Sequence, residues 1–137
     1  MSEKYPYNQR MDIKFDHQER NDVPKIIQEC KDTWYNQTLT KVNGSVFRIG
    51  IVEGEYHWHR HDQEDEFFFV LEGMLLVDIE DRTFELGPHE GITVSKGLLH
   101  RTRAPHKTVM LMVETDTIDP LGTDQTKPSG NENTNPS

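Results

Sequence analysis

Very little in this chain can cross-link it. One of its 137 residues is cysteine, Cys30. A disulfide framework is excluded, and a lone thiol fits a reducing compartment, so a cytoplasmic location is expected. No base near Cys30 would make its sulfur a nucleophile, and it reads as a small buried apolar residue. Long apolar runs are also missing. None approaches the ~20 residues of a membrane-spanning helix, and the charged first residues are unlike a secretion signal. No membrane partner is expected. Positive charge is scarce: 15 Lys and Arg face 24 Asp and Glu, a net charge of −9. Nucleic-acid binding needs a basic stripe, and without one nucleic acid is not an expected partner. There is no phosphate-cradling loop and no Ser or Cys with a convincing base. Hydrophobic residues are 33% of the chain, low enough that part of it is expected to lie outside the core.

What remains is one domain's worth of chain, rich in short strands. Residues 1–40 read as a polar arm and a short helix packing on a barrel. The helix starts at Asn21-Asp22-Val23-Pro24, a capping side chain followed by proline in the first turn, and runs roughly from Pro24 to Lys31. Ser45 to Val52 then alternates, with Phe47, Ile49 and Ile51 on one face and Arg48 on the other. Phe67 to Leu71, Met74 to Ile79, Thr83 to Leu86, Gly91 to Val94 and Thr108 to Glu114 complete a set of strands separated by turns. The pattern predicts an all-β sandwich or barrel over 41–118. Residues 119–137 turn to Pro, Gly, Asn, Thr and Ser, and a polar, disordered tail is expected there.

Histidine and carboxylate carry the chemistry. Residues 57–66 read His-Trp-His-Arg-His-Asp-Gln-Glu-Asp-Glu, and His100 comes later in Lys-Gly-Leu-Leu-His. Imidazole and carboxylate together suit a divalent transition metal. His57, His59 and His61 share one face of an extended segment. Carried backward, that parity makes Phe47, Ile49 and Ile51 the inner face. Glu66, Phe68 and Val70 share a face of the next strand, and Glu64 competes with Glu66 as a ligand. Among chains with seven histidines, His-x-His arises by chance in about a third. The pair alone is weak; its place before a strand-initial carboxylate and a distant Gly-x-x-His is more specific.

On these residues the chain resembles the cupin superfamily, in its small single-domain conserved-barrel form. The first cupin motif is matched by Gly54, His59, His61, Glu66 and Gly73, one residue short after Gly54. The centre of the second is matched by Gly97 and His100, whereas His89, Ser95 and Ala104 replace its glycine, proline and asparagine. The resemblance spans roughly residues 45–115. It implies a double-stranded β-helix, or jelly-roll, barrel. His59, His61, Glu66 and His100 would hold one divalent ion (Fe, Mn, Ni, Zn or Co), with a position left for a small-molecule ligand. His57, Phe47, Ile49, Phe68 and Val70 are then the expected pocket lining. The resulting expectation is a small metalloenzyme of isomerase, lyase or dioxygenase type acting on an oxygenated molecule; the alternative is a non-catalytic binding or sensor module. Phe67, Phe69 and Leu71 are apolar on the opposite parity and need cover of their own. This predicts a homodimer. Arg101 and Arg103 are expected on the exterior.

Overall fold

The computed structural model describes residues 6–124. Its elements are β1 (Asn8–Ile13), α1 (Val23–Glu29), β2 (Trp34–Val42), β3 (Ser45–Glu55), β4 (His59–Arg60), β5 (Glu66–Glu72), β6 (Leu75–Ile79), β7 (Arg82–Leu86), β8 (Gly91–Val94), β9 (His100–Thr115) and β10 (Thr123–Asp124). The fold is all-β with one short helix. No helix among the described residues is long and apolar enough to cross a membrane.

The 16-residue β9 organises the barrel. It pairs antiparallel with β3 along most of its length, with β4 and β6 near its start, and with β5 near its end. One strand therefore ties together both ends of the molecule. It also delivers His100, opposite His59 of β4, to the point where the sheets meet. β5 carries β8 and β6 carries β7 as antiparallel partners. β2 and then β1 extend the sheet beyond β3, with β1 parallel to β2.

Two apolar clusters divide the strands by parity. Inside the barrel lie Trp34, Val52, Phe68, Val70, Val77, Met110, Met112 and their neighbours. On the opposite face of β2, β3 and β9, Leu39, Ile49, Ile51 and Val109 pack under α1, which contributes Val23, Ile26 and Ile27. Asp22 caps that helix by accepting from the Lys25 amide, and proline in the first turn has no N–H to satisfy.

This division corrects the expected orientation of β3. Phe47 and Ile49 belong to the cluster under α1 and do not line the site. Arg48, expected outside, is the inward residue and is 1% exposed. Between Val52 and Gly54 the β3–β9 register shifts. Gly54 sits there at φ +112°, a conformation that favours glycine. The extra residues lie on β9, and Val52 and Tyr56 both still face inward; the phase changes only between Tyr56 and His59, after β3 ends, so the histidine face cannot be extended back through β3.

The ends also differ from expectation. β2 spans residues 34–42, so a division at 40/41 falls inside a strand of the main sheet. Its buried Asn36, Gln37 and Thr38 broke the apolar alternation that would have revealed it. Residues 119–124 of the expected tail fold back on the barrel, and Thr123 pairs with Arg60. The rest of that expected tail lies outside the described residues.

Candidate metal centre

β4, β5 and β9 each bring part of one group. His59 and His61 come from β4 and the turn after it, Glu66 opens β5, and His100 opens β9. One ligand atom from each lies within 4.8 Å of every other. All four are buried, at 1–5% exposure. Glu64 is not among the clustered residues.

The backbone fixes two of the rings. His59 Nδ1 donates to the carbonyl of His57 at 2.9 Å, and His100 Nδ1 donates to the carbonyl of Leu98 at 2.9 Å. A carbonyl only accepts, so each Nδ1 carries the hydrogen and leaves Nε2 for the site. Burial, with His100 adding to it, pushes His59 down to about 3, so its imidazole is neutral at pH 7. Burial would lower His61 too, but hydrogen bonding to Glu66 outweighs it and the net shift is upward.

Glu66 is the focus. Its Oε1 lies 3.1 Å from His100 Nε2 and 3.4 Å from His61 Nε2. Burial opposes its charge, yet hydrogen bonds from Glu114, His100 and His61 hold the carboxyl well below its ordinary range. The His61 Nε2 contact with Glu66 is long, and that buried nitrogen has no well-formed hydrogen bond. Three imidazoles and a carboxylate thus converge at one buried point, where a bound cation would satisfy them together. The donor set, three nitrogens and one oxygen, fits a divalent transition metal.

Inward of this group is a small cavity of about 30 Å³, lined by His59, Glu66, Phe68, Arg48, Glu114 and Tyr56 among others. That is room for about two waters. Glu114 is 4% exposed. Burial first, and then the neighbouring Glu66, raise its carboxyl well above the ordinary range. Its Oε1 lies 3.5 Å from Arg48 Nε and has no hydrogen-bond partner. Arg48 is otherwise committed to the walls: it donates to Thr38 Oγ1, Asn36 Oδ1 and the Arg10 carbonyl.

Sequence reasoning missed both Arg48 and Glu114. The signal for Glu114 was present, because Thr108, Met110, Met112 and Glu114 share one parity of β9. Of the expected lining, Phe68 reaches the cavity, whereas Val70 lies in the surrounding core. His57 is turned away from the cavity. Its ring lies beside the stacked pair Tyr7 and Tyr56, and its Nε2 donates to the Leu121 carbonyl at 2.8 Å. Arg101 and Arg103 project to the outer side, where both hold Asp78.

Comparison with known families agrees with this architecture. The family model described as the cupin domain matches residues 47–115, half of the chain. The protein belongs to the cupin family. A relative from Bacillus subtilis (strain 168), the uncharacterized protein YdbB, is 41% identical over 90 residues, covering 65% of this chain and 80% of the relative. A cupin-2 domain containing protein from Shewanella frigidimarina superposes with a TM-score of 0.65 at 26% identity, covering 69% of this cupin and 92% of that chain. The DMSP lyase DddQ of Ruegeria pomeroyi has a TM-score of 0.55 at 19% identity, covering 64% of this chain and 49% of its own, and the likeness is one of fold. The cupin barrel thus carries a buried His-His-Glu-His group able to bind a metal.

Proposed function

We propose that this cupin is a small metalloenzyme. It holds one divalent ion (Fe, Mn, Ni, Zn or Co) through His59, His61, Glu66 and His100, and acts on a small oxygenated organic molecule in an isomerase, lyase or dioxygenase type of reaction. The observation that supports it most is the convergence of four buried ligand atoms within 4.8 Å, with a buried imidazole nitrogen left without a well-formed hydrogen bond. When bound, such an ion supplies Lewis-acid polarisation of a substrate oxygen or, if redox-active, oxygen chemistry. The chain's own residues do the rest. The His57 and Leu98 carbonyls orient two of the imidazoles. Phe68, Met110 and Met112 keep the cavity apolar on one side. Glu114 holds a proton against Glu66, and its free Oε1 can accept a hydrogen bond from a ligand.

Glu114 also bears on the alternative, a non-catalytic binding or sensor module. A purely binding barrel has no need of a second buried carboxyl beside the ligand group, whereas proton transfer does. The fold of a named lyase among similar structures is compatible with this reading. The discriminating experiment loads the protein separately with each ion and screens small hydroxy, keto and carboxylic compounds. Turnover with one ion, lost in Glu114→Gln without loss of metal, supports the enzyme; saturable binding without turnover supports the module.

The homodimer and the cytoplasmic location belong to the same proposal. Phe67 and Phe69 stack on each other on the outer face of β5, beside the exposed Val113. A second subunit would cover these apolar side chains. Light scattering at micromolar concentration is expected to give twice the 16.0 kDa chain mass, and a monomer mass would contradict the dimer.

A further inference from the structure

The four ligand residues are 1–5% exposed, and the cavity beside them holds about two waters. An organic ligand of even a few heavy atoms cannot reach them in this conformation. What closes the site on one side is the segment from Asp119 to Asp124. Pro120 lines the cavity itself. Gly122 lies against the ligand rings: a Cβ placed there would stand 2.7 Å from His59 Cδ2 and 3.1 Å from His61 Cε1. Gly122 also has φ +59°, so glycine is favoured there both by space and by backbone conformation.

Among the described residues the segment's attachment is slight. There β10 spans Thr123–Asp124, with the pairs Thr123–Arg60 and Asp124–His59 on β4. Two side chains of the described residues hold it further. The Tyr56 hydroxyl lies 2.9 Å from the Pro120 carbonyl, and His57 Nε2 lies 2.8 Å from the Leu121 carbonyl. Leu121 packs, half-buried, on the inner core cluster. A segment held by a few backbone bonds and two side-chain hydrogen bonds opens far more cheaply than the long β3–β9 ladder. The adjacent β4 is equally short, so the strap can leave without unzipping the main sheet.

We propose that residues 119–124 are an access strap for the metal centre, latched by Tyr56 and His57, and that an organic ligand enters only when the strap lifts off β4. The inference rests on the four-residue group being the ligand site. It assigns His57 a role other than the pocket wall: it holds the strap by its far nitrogen. Pro120 and Gly122 become the residues that set how much space a ligand finds beside His59 when the strap closes again.

The test locks the strap. In a Cys30→Ser background, Arg60→Cys and Thr123→Cys place two thiols at partnered positions of an antiparallel pair, where Cα separations suit a disulfide. Neither side chain is a ligand. Metal-free protein is treated with diethyl pyrocarbonate, and modification of His59, His61 and His100 is monitored by peptide mass spectrometry. The oxidised form is expected to react at these histidines at least ten-fold more slowly than the same protein after reduction. Equal rates in the two forms overturn the proposal. Should the disulfide not form, Gly122→Val drives the strap off by contact with His59 and is expected to speed the reaction several-fold; an unchanged rate again overturns it. Release of Co²⁺ to excess EDTA gives a second readout, slower when oxidised. Protein that retains no Co²⁺ yet shows strap-dependent histidine protection would refute the metal reading and leave the strap standing.

Discussion

Two clusters of arginine and carboxylate sit on opposite faces of this barrel, and they are finished to different degrees. On the outer side Asp78 accepts from Arg101 Nε at 2.8 Å, from Arg103 at 2.7 and 2.9 Å, and from Thr83 at 2.6 Å. Burial works against its charge, but these donors outweigh it and hold the carboxyl well below its ordinary range. On the inner side one arginine, Arg48, faces two carboxyls, Glu66 and Glu114. There Glu114 Oε1 and His61 Nε2 remain buried without a well-formed hydrogen bond. The outer network leaves the Asp78 carboxylate fully paired and clamps β6 to β9. An incomplete one, beside a cavity, is short of a cation and a donor, which a bound ion and a substrate would supply.

The largest effect should come from breaking the inner pair. Arg48→Met leaves the buried Glu66–Glu114 pair, which shares one proton and one negative charge, without its cation and is expected to cost about 3–5 kcal/mol in urea unfolding. Arg48→Met with Glu114→Leu should recover only part of that, because Glu66 keeps its charge. A loss under about 1 kcal/mol in the single variant would show the pair to be less buried than described.

Metal should sharpen the contrast next. An ion present at a hundred times its dissociation constant is expected to stabilise the chain by about 2.7 kcal/mol, and a chelator should reverse this. Asp78→Asn should leave that metal-dependent increment unchanged.

Asp78→Asn itself is expected to cost about 2 kcal/mol at pH 7, the range of hydrogen bonds to a charged group. The direction of its shift sets the pH dependence. Its folded pKa is depressed, so its contribution is complete above the unfolded value of about 3.9 and fades as pH falls below it. The stability gap between wild type and Asp78→Asn should therefore narrow as pH falls below about 4. A gap that stays constant to lower pH would mean that the Asp78 charge is not what holds β6 to β9.

How far the sequence revealed these regions depends on how each encodes its burial. β5 and β8 were legible because they are short runs of aromatic and β-branched residues and glycines punctuate them. The four candidate ligands were legible because their spacing is short and chemically unusual. β3 was misread because it is apolar on the face under α1, while its inner face carries Arg48. A buried charge looks exposed when its partner, Glu114, is 66 residues away in sequence. β2 was missed because its Asn36, Gln37 and Thr38 are buried polar residues whose partners belong to β1 and β3. The strap's composition reads as a tail, and only the fold reveals that Gly122 lies against the histidines.

The central claim is that the incomplete inner cluster is a metal centre. Elemental analysis of protein prepared without a histidine tag, after exposure to Fe, Mn, Co, Ni or Zn and removal of excess, tests it most directly. The account predicts one divalent ion per chain in the wild type and none in His59→Ala, with the fold of that variant retained. A wild type that retains no ion, or a His59→Ala variant that retains as much, would contradict it.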